Sequence, residues 1–382
     1  MQIDTLTIVT IPLFDYARKA YKLGGVESYM RAIAKAANER GIKVDAYQLS
    51  DSEWTRDEGF FTLHGVKLKK IFFKSANQRL YEYAVQKASE TGVILISGDH
   101  MNVKSSDRRA IVIEHGIAFD YPIYGKGLGF WMKTVEKLLR CVRNAVRFQY
   151  VNNTVCVDYN HFNWLRTIFS PQEGARMKVI PNFCSNFISE SELKQKFVER
   201  RTRKKRIVFA RRFVWYRGTE MFANVVERLL GEFSDIEITF AGEGPQENIL
   251  RRKFGKIDSV KITSFHPDDT FNFHKDYDIA VVPTICSEGT SLSLIEAMGA
   301  GCLPVCTHVG GMTNIVVDGF NGFMSYPDED AFYETMRNVL LLEDVKFDHI
   351  VQNARETAKM GLNYESWSEK WIAFMERIVS PM

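Results

Sequence analysis

The 382-residue chain contains no run of about 18 uninterrupted apolar residues, so no segment is expected to span a membrane. Cysteine is scarce: six residues (Cys141, Cys156, Cys184, Cys286, Cys302, Cys306) and no C-x-x-C pair. That excludes a zinc ribbon or a disulfide framework, and small buried thiols in a reduced cytoplasmic setting are expected instead. Charge of one sign is lacking too: the net value is +3, too little for a dedicated nucleic-acid binder, although local basic patches stay open. There is no low-complexity segment or short repeat. The start, "MQIDTLTIVTIPLFDY", lacks a basic stretch followed by a long apolar one and reads as a first strand rather than a signal peptide.

What is present is alternation. Short apolar runs at 6–11, 43–49, 93–97, 110–114, 149–151 and 178–180 are separated by amphipathic stretches such as 25–40. The pattern starts again at 206–210 and continues through 236–241, 260–264, 278–283, 303–306 and 322–324, with helices expected at 219–231 and 289–299. Strands apolar on consecutive residues are covered on both faces, so the chain is expected to be α/β, with two doubly wound Rossmann-like domains. The expected boundaries are 1–185 and 203–363, with a solvated basic linker at 186–202. The helix from about 364 to 382, which carries Trp367 and Trp371, is expected to pack back on the first domain. Ligands of such sheets lie beyond the strands' carboxyl ends, here in a cleft between the two domains.

One such strand end is "SEGTSLSLIEAMGAGCLPVCTHVGG", 287–311. Gly289 permits a tight turn, Thr290 or Ser291 is the expected N-cap, Leu292 with Leu294, Ile295 and Met298 supplies the packing, and the helix's free amides suit an anion. Glu288 lies just outside that helix, and Glu296 is placed about two turns in. Carboxylates beside a phosphate site make sense when they accept hydrogen bonds from hydroxyls on either side. A sugar nucleotide offers that layout.

The stretch "SEGTSLSLIEAMGAGCLPVCTHVGGMTNIVVDGFNGF" resembles the donor-binding signature of retaining GT-B glycosyltransferases, the large E-x7-E (group 1) family of bacterial polysaccharide type. The resemblance implies that Glu288 contacts the donor sugar and Glu296 the ribose. "VFARRFVWYRGTEMF" is similar to the family's G-R-L-x-x-x-K-G loop, with Arg212 and Arg217 matching the basic pair that neutralises the leaving diphosphate, and Arg211 in place of glycine. "ITFAGEGP" supplies Gly242 and Gly244. "SFHPDD", with Phe265 and His266, is the implied nucleobase platform. In the first half, Gly24 and Gly25 of "LGGVESYM" resemble the loop near the donor phosphates, and His115 of "IVIEHGI" the histidine near the sugar, with His100 as its rival. "VIPNFCSNF" marks the domain boundary, with Phe183 for glycine, and Asn314 stands where the family often has glutamate.

The implied activity is retaining transfer from a nucleotide-diphosphate sugar to a hydroxyl of a glycan or lipid-linked acceptor, in bacterial surface polysaccharide biosynthesis. No cofactor and no metal are expected, and no nucleic acid. The strings Asp276-Tyr277-Asp278 and Asp328-Glu329-Asp330 are set aside as metal sites, the first because Asp278 opens a buried strand. A GT-B epimerase or phosphorylase, or a catalytically silent partner subunit, are the rival readings. Between 131 and 147, Lys133, Lys137, Arg140, Arg143 and Arg147 share about 120° of a helical wheel, opposite Val135, Leu138, Leu139, Val142 and Val146. Either this helix packs on the sheet with a solvated basic face, or it meets an acidic glycan or anionic lipid headgroups, the latter at the cytoplasmic face of the inner membrane.

Overall fold

The computed structural model describes residues 3–17, 19–21, 24–69, 73–169 and 176–380. They form two compact units. One comprises Met1–His115, Gly125–Ile180 and Glu365–Met382, and the other Gly116–Tyr124 and Pro181–Tyr364.

In the first unit the strands are β1 (Thr5–Val9), β2 (Phe14–Asp15), β3 (Ala20–Tyr21), β4 (Lys43–Leu49), β5 (Trp54–Asp57) and β6 (Thr62–Val66). They continue with β7 (Val93–Ile96), β8 (Ala110–Glu114), β9 (Asn153–Cys156) and β10 (Met177–Val179). The sheet order is β10-β9-β8-β7-β1-β4-β6-β5, parallel except where β5 returns along β6; β2 and β3 form a separate antiparallel pair. Each residue of β7 and β8 is buried, as required of strands covered on both faces. The stretch expected as a strand at 149–151 is instead the turn that follows a helix, Gly127–Phe148, and the strand lies at β9. That helix buries only Asn144 and Phe148, so its apolar stripe does not pack on the sheet.

The Tyr364–Val379 helix belongs to this unit from Glu365 onward. Its Trp367 and Trp371 indole N–H groups both donate to the buried Tyr29 hydroxyl, at 3.2 and 3.0 Å, which in turn donates to the Ile180 carbonyl. Burial without solvent pushes the Tyr29 phenol well above its ordinary value. Two indole donors and one carbonyl acceptor therefore satisfy a group whose desolvation would otherwise cost stability.

The second unit contains β11 (Lys205–Ala210), β12 (Ile236–Ala241), β13 (Val260–Thr263), β14 (Ile279–Val282), β15 (Leu303–Thr307) and β16 (Phe323–Ser325). They form one parallel sheet in the order β13-β12-β11-β14-β15-β16. Phe209, Phe213, Phe222, Phe240 and Phe254 are all fully buried between this sheet and its helices. Each contributes about 1.5–3 kcal/mol through burial.

The basic run expected as a solvated linker is ordered structure. Ser189 and Glu192 form a capping box at the start of the Glu190–Arg200 helix. Lys196 and Arg200 are buried; Arg200 bonds Asp344 and Asp348 at 2.8 and 3.1 Å, and Arg203 grips Asp278 through two bonds of 2.7 and 2.9 Å. The positive charge is met by acids from distant parts of the chain, which local composition does not reveal. Asp278 is thereby committed to Arg203. Among the described residues no helix is long and apolar enough to cross a membrane.

Candidate functional site

The second unit assembles its site where β14 ends. The loop after β14 is clamped by backbone. The Thr307 hydroxyl donates to the Thr284 carbonyl at 2.5 Å, and the Ser287 N–H to the Asp120 carbonyl at 2.7 Å. The Gly311 N–H donates to the Glu288 carbonyl at 3.1 Å. Gly310, with φ +55°, lies against that same carbonyl, and a methyl group there would overlap its oxygen. Ser287 itself takes a left-handed conformation, φ +48°.

This clamp fixes Glu288, which is only 8% exposed. Its Oε2 accepts from Arg211 Nη2 at 2.5 Å, from the Thr284 hydroxyl at 3.0 Å and from Arg217 Nη1. Arg211 Nη1 also donates to the Thr284 oxygen, at 2.5 Å. Burial alone drives the Glu288 carboxyl upward, but the Arg211 and Arg217 charges outweigh it and hold the group below its ordinary value. Arg212 points to solvent, whereas the buried arginine at Glu288 is its neighbour Arg211. Arg211 and Thr284 were not anticipated in this role. The double arginine directly after β11 was the available signal.

The following helix, Leu292–Gly299, starts without a side-chain cap. Ser291 is its N-cap, but its hydroxyl lies 3.2 Å from that of Ser293. Thr290 is buried and engaged elsewhere: its hydroxyl accepts the Asn182 N–H at 2.7 Å, and its carbonyl accepts from Asn182 Nδ2. Ser291 takes the expected N-cap position, but neither side chain bonds a helix amide, which leaves the first amides of the helix to water or an anion. Gly289 is buried, and Leu292 is partly exposed at the rim. Glu296 is the fifth residue of the helix, so it lies about one turn in, not two. Its carboxyl is partly buried, has no ion pair or hydrogen bond among the described residues, and is pushed up to about 7 by burial.

The neighbouring loops are shaped by close approach. Gly242 and Gly244 pack on the carbonyls of Arg211 and Phe213, where a side chain on either would collide with the chain beneath it. The Phe213 N–H bonds the Glu243 carbonyl at 2.9 Å. These glycines position the 211–213 backbone. Phe265 stacks on Phe273, centroids 4.3 Å apart and 5° from parallel, so that ring face is already occupied; His266 beside it is exposed. In the "DGFNGF" stretch Asp318 accepts the Met324 N–H at 2.8 Å. Asn321 accepts the Val317 N–H at 2.7 Å and donates to the Ile315 carbonyl at 3.0 Å, so that motif staples its own loop.

Three further expected residues lie in the first unit. Gly24 caps the Gly25–Asn38 helix, and the Glu27 carboxyl folds over it. His115 follows β8; its ring nitrogen Nε2 donates to the Ser97 carbonyl at 2.8 Å, which fixes the tautomer and leaves Nδ1 as an acceptor. Burial drops its pKa to about 4, so the ring is neutral near pH 7. His100 is exposed on a short turn.

Residues 204–341 match the family described as Glycosyl transferases group 1. Among curated proteins, the chain is 25% identical over 199 residues to the phosphatidylinositol N-acetylglucosaminyltransferase gpi3 subunit of Schizosaccharomyces pombe, a match covering 50% of this chain and 41% of that protein. The chain matches less than half the length of the first curated relatives. Among solved structures, sucrose-phosphate synthase from Thermosynechococcus elongatus superposes with a TM-score of 0.77 at 13% identity, over 98% of this chain and 99% of the other. Anabaena HepE in complex with UDP gives 0.68 at 15% identity, over 98% and 100%.

Proposed function

Residues 204–341 belong to the glycosyl transferases group 1 family, on a chain of GT-B fold, and from that premise we propose that the protein transfers a sugar from a nucleoside-diphosphate sugar to an acceptor hydroxyl with retention at the anomeric carbon. The observation that carries this reading is the uncapped start of the Leu292–Gly299 helix, with the Arg-paired Glu288 on one side and the unpartnered Glu296 on the other.

Two carboxylates beside a diphosphate would repel it. Here the Glu288 charge is offset by Arg211 and Arg217. Glu296, pushed up to about 7, is neutral in half of the molecules at that pH. The leaving diphosphate takes the helix amides and the charges of Arg217 and exposed Arg212. Glu288 is too well compensated to act as a base. It orients the donor sugar and holds Arg217 in place, and a phosphate oxygen receives the acceptor's proton as the new bond forms. Glu296 grips the pentose diol. The resident cations do this work without a metal, so turnover is expected to survive EDTA.

The Schizosaccharomyces pombe relative, named for phosphatidylinositol, favours a lipid-linked acceptor over a soluble glycan. Surface polysaccharide assembly is one setting for such an acceptor. The test is nucleotide release from a panel of nucleoside-diphosphate sugars, with the product's anomeric proton read by NMR. One donor is expected to be turned over with retention, and Glu288→Gln to lose kcat. An inverted product contradicts retention; dependence on inorganic phosphate identifies a phosphorylase instead.

A further inference from the structure

The helix Gly127–Phe148 is amphipathic, yet its apolar stripe is turned outward. Leu128 is 77% exposed, Trp131 63% and Val142 62%, and Met132, Val135, Leu138, Leu139 and Val146 are exposed with them. On a helical wheel these eight side chains lie within about 120°. A contiguous apolar surface of this kind on one helix is far more than the scattered leucines normal on a protein exterior. The helix is held to its unit along the opposite side, where Asn144 and Phe148 are buried.

Two neighbours extend the patch. Ile168, 50% exposed, and Phe169 border a hollow of about 330 Å³ that they line with Cys141, Val142, Val146 and Trp164. On one edge of the stripe lie Arg143, Arg147 and Arg140, with the single acid Glu136, which pairs with Arg140 at 2.7 Å, while Lys133 and Lys137 fall on the side away from it. Arg143, next to the stripe, is exposed and carries no ion pair among the described residues. The same helix thus presents a wide apolar face bordered by uncompensated positive charge.

We propose that this helix, with Trp164, Ile168 and Phe169 beside it, docks flat on an anionic lipid bilayer. Leucine, valine and tryptophan side chains enter the acyl boundary, Trp131 lies at headgroup level, and the arginines along the edge meet lipid phosphates. The charge decides between occupants: a second copy of the chain would bring the same arginine edge against this one, whereas an anionic headgroup layer complements it. At 22 residues the helix has the length to span a membrane, but its basic flank and low overall hydropathy place it in the interface. The surface stands apart from the transfer reaction and does not depend on it.

The experiment is co-sedimentation of the full chain with phosphatidylcholine vesicles, with and without phosphatidylglycerol. Binding is expected only with phosphatidylglycerol present, weakening as salt rises. Arg143→Gln is expected to weaken it about fivefold. Leu138→Gln with Leu139→Gln is expected to abolish it at every salt concentration. Those leucines are exposed, so unchanged circular dichroism and thermal midpoint will show that folding is intact. Equal binding to both vesicle types, or indifference to the leucine pair, overturns the proposal. So does a concentration-dependent dimer that the leucine pair dissolves while vesicles are ignored.

Discussion

If the Glu296 carboxyl meets a ribose diol, donor binding must release protons. The free group sits at about 7 because burial penalises its charge and no donor compensates it. At pH 7 it therefore carries about half a proton. Two hydroxyls donating to it favour the ionised form and restore the ordinary value near 4.5, so binding at pH 7 releases about half a proton. A return of that size makes donor affinity rise up to about 300-fold from below pH 4.5 to above pH 7, with the diphosphate charge nearby trimming the gain. The assay is isothermal titration of a nucleoside-diphosphate sugar at pH 7 in phosphate and in Tris, whose ionisation enthalpies differ. The sugar ester removes the diphosphate's own titration near neutrality, so the difference in heat reports on the protein. Glu296→Gln is expected to bind with no buffer dependence. Zero proton release by the wild type, or equal release by the variant, refutes the reasoning.

Other outcomes follow from the same geometry. Because the folded pKa of Glu296 lies above its unfolded value, the group favours folding below pH 4.5 and loses that advantage as pH rises through 7. Glu296→Gln should accordingly stabilise the ligand-free protein by about 3 kcal/mol at alkaline pH, measured by calorimetry. His115 works in the opposite direction: its folded value of about 4 lies below 6.5, so its contribution is present above pH 6.5 and lost as pH falls to 4. His115→Gln, which keeps a donor for Ser97, should remove about 3 kcal/mol of that acid sensitivity. Arg211→Ala leaves Glu288 buried with Arg217 and Thr284 alone and should cost about 3–5 kcal/mol in thermal unfolding. A loss below 1 kcal/mol would mean that Arg211 is not the counter-charge. Gly310→Ala should lower the thermal midpoint and turnover together, since its methyl displaces the Glu288 carbonyl.

The second half of the molecule was readable because its strands are buried on both faces and so appear as unbroken apolar runs. The run 236–241 coincides with β12, and 303–306 falls one residue short of β15. In the first half, β5 is an edge strand, "WTRD", with three of its four residues exposed, so no apolar signal marks it. The helix Glu190–Arg200 escaped notice because its buried lysine and arginine find their acids and carbonyls up to 148 residues away. At the site, both carboxylates and the helix start were legible from local spacing, and the pairing was not. Whether Arg211 or Arg212 turns inward depends on how β11 ends against β14, which is a matter of sheet register. Likewise the Asn182 bonds that occupy Thr290 join residues 108 apart, and only the folded chain brings them together.

The most direct measurement is a crystal of the protein grown with a nucleoside-diphosphate sugar. The account predicts pentose hydroxyls at hydrogen-bond distance from Glu296, diphosphate oxygens on the amides of Ser291 and Leu292, and Arg217 still holding Glu288. A nucleotide bound elsewhere, or one that leaves Glu296 unmet, contradicts it.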